Sequence, residues 1–289
     1  MGNLFRPTEY MIPNTLEEAI SILKDRGKDA KIMAGCTDVF VDKPPGTKTL
    51  VDISNLNLNY ITRTEDGIRI GATTTYASLQ DSELLRVHGL KHILLQAVDS
   101  VGHPMVRNMG TIGGNICSAV SCADIPPALM ALDASLVIVG PTEEKTVSVN
   151  DFLVDNKKTI LNYDEILKEI RVPDLPADSG GSFLKLARTS VDLAQVNVAA
   201  CVTLGEEGLC KEARIALGAV APTPIRAKGA EAFLRGKKLD DSVIEQAASI
   251  ASQETKPISD IRASAAYRKE MTKTLVRRAL NQAVLSLIG

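Results

Sequence analysis

Between Gly110 and Ala134 the chain reads GTIGGNICSAVSCADIPPALMALDA, with three glycines, two cysteines and an aspartate ahead of an apolar run. Three chemistries fit these residue types: thiolate metal binding, an anion cradle of backbone amides, or a crowded turn with no ligand. Cys117 and Cys122 stand in a C-x4-C spacing. Zinc takes four ligands, and no C-x2-C or histidine pair lies near to complete the set. A cluster would take four thiolates, and Cys36, Cys201 and Cys210 are scattered. Both cysteines therefore read as small apolar filler. Gly110, Gly113 and Gly114 let a ligand approach the backbone closely, and Thr111 and Asn115 add donors. The spacing is neither G-x-G-x-x-G nor a P-loop. A second stretch, KIMAGCTD from Lys31 to Asp38, runs from a strand into small and hydroxyl residues, so its amides can converge on an anion. Asp124 can cap the helix that follows it, with Pro126 in the first turn, or receive a ligand hydroxyl or N–H. Lys185 falls on a strand. It faces solvent, or meets an anion if it points into a cleft. His88 and His92 are four apart, but Gly89 follows where H-E-x-x-H needs Glu, so they read as solvent-facing helix residues, and His103 stands alone. No G-x-S-x-G elbow occurs.

These residues must be held by a chain of 289 residues that is 45% hydrophobic, enough for one large domain or two. Net charge is −2, and the paired cations (Arg277–Arg278, Lys237–Lys238) are short, so no nucleic-acid surface is expected. There is no run of 18 apolar residues for a membrane span and no apolar signal core at the N-terminus, so a cytoplasmic protein with reduced thiols is expected. Tryptophan is absent and aromatics are 3%, so a flat ligand must rest on backbone and aliphatic groups.

NTLEEAISILKDRG predicts a helix capped by Thr15, with Glu18 completing a capping box and Gly27 ending it. AKIMAG, KTLVDIS, DGIRIGATTT, SLVIVGP and KTVSVNDFL predict strands, and residues 75–100 and 124–133 predict helices. RVPDLPADSGGS (Arg171 to Ser182) concentrates breakers and marks a domain boundary. Beyond it, SFLKLAR, QVNVAACVTLGEEG and CKEARIALGAV predict strands, the last two joined by a GEEG hairpin turn. PTPIRAKGAEAFLRG, DDSVIEQAASIASQ and Arg262 to Ile288 have helical spacing. Strands followed by helices make the second part α+β.

In order, KIMAGCTDVFVDK, then RNMGTIGGNICSAVSCADIPPALMALDA, then FLKLARTSVDLAQVNVAACVTL and RIALGAVAPTPIRAKGAE resemble the FAD-binding (medium) subunit of xanthine dehydrogenase and related molybdenum hydroxylases. The resemblance spans nearly the whole chain. It implies an α+β protein. A two-part FAD-binding domain of the PCMH/vanillyl-alcohol-oxidase type would occupy residues 1–176, with lobes of about 1–57 and 58–176. A smaller α+β domain of the CO dehydrogenase flavoprotein type would occupy 177–289. It implies that Lys31, Ile32, Met33, Ala34, Gly35, Cys36, Thr37 and Asp38 form one FAD loop. Gly110, Thr111, Ile112, Gly113 and Gly114 would form the second, extended by Asn115 and Ser118, with both loops cradling the pyrophosphate through amides. By the same resemblance Asp124 contacts the cofactor, Leu167 packs on the flavin and Lys185 lies near the flavin edge. Two departures stand out: Cys36 replaces a loop glycine, at a cost of about 1 kcal/mol if φ is positive there, and AVSCAD lacks the proline many members carry.

The implied function is electron transfer. A large subunit would hold a molybdenum cofactor and a small one two [2Fe–2S] clusters, in a heterotrimer or a dimer of heterotrimers. Electrons would pass through FAD in this chain to NAD⁺, with no catalytic acid, base or metal here. The alternatives are a stand-alone PCMH-type flavoprotein reductase or a flavin-free scaffold subunit.

Overall fold

The computed structural model describes residues 5–86 and 93–287; His88 and His92 lie outside them. The chain opens with β1 (Glu9–Met11), α1 (Leu16–Arg26), β2 (Ala30–Met33), the single turn α2 (Val39–Asp42) and β3 (Thr49–Asp52). The strands form a parallel sheet in the order β1-β3-β2. Parallel strands need crossovers: α1 carries the chain from β1 to β2, the two outer strands, and α2 lies in the connection between the neighbours β2 and β3. Thr15 accepts the Glu18 N–H at 3.1 Å, Glu18 accepts the Asn14 N–H at 2.8 Å, and Gly27 ends the helix at φ 55°. The capping carboxylate thus reaches one residue further back than a capping box requires.

A second layer begins with β4 (Ile61–Thr64) and β5 (Gly67–Gly71). Helices α3 (Tyr76–Asp81), α4 (Glu83–Arg86), α5 (Leu94–Asp99), α6 (Pro104–Met109), α7 (Ile112–Ser118) and α8 (Ile125–Ala131) follow, so the described residues of 75–86 and 93–100 fall into short helices rather than one long one. Next come β6 (Ser135–Val139), β7 (Glu144–Ser148), α9 (Val149–Phe152), β8 (Leu153–Asp155), β9 (Lys158–Thr159) and β10 (Ile166–Pro173). KTVSVNDFL is therefore not one strand, because Ser148 accepts the Asn150 N–H and starts a helical turn. The main sheet is antiparallel, in the order β4-β5-β10-β6-β7.

Five residues, 174–178, lead to β11 (Ser179–Leu186), β12 (Val196–Leu204), β13 (Cys210–Gly218) and β14 (Ile225–Arg226), an antiparallel sheet in that order. The breaker-rich segment thus lends both its ends to strands. Helices α10 (Lys228–Leu234), α11 (Asp241–Gln253) and α12 (Ala265–Leu285) close the chain. In PTPIRAKGAEAFLRG the helix starts only at Lys228, after β14. No helix among the described residues is long and apolar enough to cross a membrane.

One face of the β11–β14 sheet joins the core of the second layer, and the other face builds a separate core with α10–α12. Every residue of α8 is buried. Along β12, Val196, Val198, Ala200 and Val202 pack under α10–α12, while Ala199 and Cys201 pack with Leu129, Phe183 and the second layer. A strand buried on both faces reads as a continuous apolar run, as VNVAACV does. A Cβ on Gly181 would fall 2.3 Å from Ile93 Cδ1. Arg268, 3% exposed, fastens the loops beside the seam: its guanidinium donates to Gln195 O at 2.6 Å, Ala219 O at 3.0 Å and Asp260 Oδ1 at 2.8 Å.

Partial burial opposes ionisation of Asp260, but the Arg262 and Ala263 amides and Arg268 outweigh it and hold the carboxyl at about 2. A depressed folded pKa contributes stability above the unfolded value near 3.8 and loses it as pH falls toward 2. Urea unfolding between pH 4 and pH 2 should show wild type losing this increment and Asp260→Asn lacking it from the outset.

Candidate active site: a cofactor cleft between two layers

The first loop leaves β2 at Met33, whose carbonyl accepts the Ile53 N–H at 3.0 Å. A Cβ on Gly35 would fall 1.7 Å from the Met109 carbonyl oxygen, so this loop lies against the end of α6 only because position 35 is glycine. Cys36 sits at φ 61°, in the left-handed region, and its thiol donates to Ala34 O at 3.3 Å. No described residue accepts a hydrogen bond from the amides of Gly35, Cys36, Thr37 or Asp38. Consecutive unspent amides form an anion-binding concavity.

The second loop is built differently. Thr111 caps α7 by accepting the Gly114 N–H at 3.1 Å. Ile112 N–H donates to Thr74 O at 3.0 Å, Gly113 N–H to Ala72 O at 2.9 Å and Asn115 N–H to Thr111 O at 3.1 Å. These amides are spent inside the protein, so the expected second amide cradle is not formed. Gly110 and Gly113 serve protein contacts: a Cβ would meet the Tyr76 ring at 2.7 Å or Ala72 O at 2.6 Å. Gly114 is exposed, with only Thr111 Oγ1 within reach of an added Cβ. What the second loop offers is this open surface, together with the buried, unpartnered Oδ1 of Asn115.

The two loops line one cleft of about 740 Å³, within the range of cofactor sites. Lys31 through Asp38 form one side. Thr111, Gly113, Gly114, Asn115, Ser118 and Leu167 also line it, and Gly110 and Ile112 do not. Burial raises the Asp38 carboxyl pKa, opposed by the Ser118 hydroxyl. Cys117 also faces the cleft, and burial pushes its thiol up to about 12, far from a metal-binding thiolate. Cys122 packs with Ala194 and Ala219.

Asp124 and Lys185 do not line the cleft. Lys185 is not on a solvent face; its ammonium donates to Asp124 Oδ2 at 2.7 Å and Ser100 O at 2.9 Å. Both side chains are buried, at 8% and 7% exposure. Asn197 Nδ2 donates to Asp124 Oδ1 at 2.8 Å. Asp124 occupies the N-cap position of α8 but makes no capping bond, because its carboxylate is turned to Lys185. Burial raises its pKa, and the Lys185 charge holds it down. The pair spans the seam between α8 and β11.

Sequence reading missed further lining residues, among them Pro44 and Pro45 just after α2, and Lys157 and Tyr163 from the segment around β8 and β9. The signal available was the turn DNKK (Asp155 to Lys158), which places two cations together.

Unspent amides, an open glycine, an orphaned amide oxygen and the exposed Lys31 suit a long, anionic, hydrogen-bonding cofactor. A parallel layer and an antiparallel layer joined at such a cleft define a nucleotide-cofactor-binding α+β protein. The chain belongs to the FAD-binding family of the molybdopterin dehydrogenases. Residues 5–175 match the FAD binding domain in molybdopterin dehydrogenase, and 181–283 match the CO dehydrogenase flavoprotein C-terminal domain. It is 33% identical to the xanthine dehydrogenase FAD-binding subunit of Escherichia coli O157:H7, over 99% of both chains. It is also 33% identical to the 6-hydroxypseudooxynicotine dehydrogenase complex subunit alpha of Paenarthrobacter nicotinovorans, over 96% of this chain and 94% of that one. The carbon monoxide dehydrogenase structure from Hydrogenophaga pseudoflava, described as lacking the Mo-pyranopterin moiety of the molybdenum cofactor, superposes with a TM-score of 0.94 at 33% identity, covering 97% of this chain and 98% of that one.

Two expectations follow. Gly35→Ala should cost several kcal/mol through overpacking, whereas Cys36→Gly should stay within about 1 kcal/mol of wild type, as measured by urea denaturation. Lys185→Met should destabilise by about 3–5 kcal/mol by stranding a buried carboxylate, and adding Asp124→Asn should recover part of the loss.

Proposed function

We propose that this chain is the FAD-binding electron-transfer subunit of a xanthine dehydrogenase-like molybdenum hydroxylase. The observation that carries the reading is the run of unspent amides at Gly35–Asp38, facing Gly114 and the Asn115 oxygen across one cleft. Bound FAD supplies both hydride and single-electron exchange, which lets such a subunit join clusters to a two-electron acceptor. The first loop holds the pyrophosphate by its amides, and Lys31 offsets its charge. Asn115 accepts a hydrogen bond from the cofactor, and Leu167 provides an apolar surface for the flavin. Asp124 and Lys185 fix the seam between α8 and β11. No acid or base of this chain is required.

A large molybdenum-cofactor subunit and a small subunit with two [2Fe–2S] clusters complete the proposed complex, a heterotrimer or a dimer of heterotrimers in the cytoplasm, with NAD⁺ as acceptor. The relatives' names support a subunit role: one is an FAD-binding subunit and another a complex subunit alpha. They also name different substrates on one subunit design, as expected if substrate choice lies on another chain.

The test is the visible spectrum of the purified chain with FAD. Wild type should be yellow and recover molybdenum- and iron–sulfur-bearing partners when these are co-expressed. Gly114→Val should keep its circular dichroism and lose most of its bound flavin. A colourless, partnerless wild type overturns the reading.

A further inference from the structure

We propose that the Lys157–Asp42 ion pair is a clasp across the mouth of the cofactor cleft, and that its opening sets the rate at which FAD leaves. The proposal rests on the FAD reading above. Asp42 ends α2, the turn that grows directly out of the amide-bearing first loop. Lys157 lies in the turn of the β8–β9 hairpin, 115 residues away, with Nζ 2.7 Å from Asp42 Oδ1. Both residues line the cleft, one from the parallel layer and one from the hairpin beside α7.

Each arm is fixed at its base. The Lys157 N–H donates to Ala119 O at 2.8 Å, at the end of α7. Lys157 and Ala119 are both left-handed, at φ 58° and φ 49°. Non-glycine residues persist in that region only where the surroundings impose it, and here the result is a lysine aimed at α2. The Asp42 N–H donates to Asp38 O at 2.8 Å, tying the other arm to the first loop.

Apolar burial does not seal this mouth, since Val41 is 78% and Val154 61% exposed. Among the described residues no other side-chain hydrogen bond or ion pair joins α2 to the hairpin. The pair itself is exposed, at 52% for Lys157 and 39% for Asp42. Exposed pairs are weak and screened by salt, which suits a catch that must open for the cofactor to exchange.

FAD-loaded protein is diluted and the return of free-FAD fluorescence is timed. Asp42→Asn and Lys157→Met should each speed release by about 2- to 5-fold, the equivalent of one exposed pair, with circular dichroism unchanged. Molar salt should speed release from wild type by a larger factor than from the variants, in which only the Lys31 attraction is left to screen. The charge-swapped double variant, Asp42→Lys with Lys157→Asp, should return the rate toward wild type. Slower release from Asp42→Asn would overturn the clasp, because a freed Lys157 would then be serving the cofactor phosphates directly. Unchanged release in all variants would overturn it too. Wild type that takes up no flavin would overturn the FAD reading and the clasp with it; wild-type binding with unaltered variants overturns the clasp alone.

Discussion

The contact on which the cofactor cleft depends is the approach of Gly35 to the Met109 carbonyl. A side chain there would overlap backbone, which cannot move aside as a rotamer can. Because position 35 is bare, the first loop lies against the end of α6, and α6 leads directly into the Thr111 cap of α7. Two layers of different topology, one parallel and one antiparallel, are thereby brought to opposite sides of one cleft. Cys36, the next residue, is left-handed, and α2 starts three residues after it.

The two loops divide the labour that their shared glycine richness suggests they would duplicate. The first keeps its amides unspent because it is neither strand nor helix between Met33 and Val39. The second spends its amides on Ala72, Thr74 and the Thr111 hydroxyl, so it acts as a rigid wall and presents side-chain groups in place of backbone donors. Anion affinity and positional precision thus come from separate segments.

Much of this was legible locally. Thr15, Glu18 and Gly27 announce α1, and the strand runs of both sheets follow from β-branched clusters between breakers. The order of the motifs gave the family. The Asp124–Lys185 pair was not legible as a pair, because 61 residues and a domain seam separate two residues that each fit a solvent or ligand role alone. The spending of the second loop's amides was equally hidden, since the accepting carbonyls of Ala72 and Thr74 carry no side-chain signature. Short helical turns such as α9 escaped because one serine outweighed a strand-like sequence.

The double-sided burial of β12 has a consequence for how the chain can be divided. The matched families part near residue 178, inside the breaker-rich segment that marks a boundary in the sequence. Yet Phe183, Ala199, Cys201 and Ala216 belong to the same apolar cluster as Leu129 and Ile93. Severed there, each half would uncover the apolar residues it now buries against the other, although the second half keeps the separate cluster that β12 and β13 form with α10–α12.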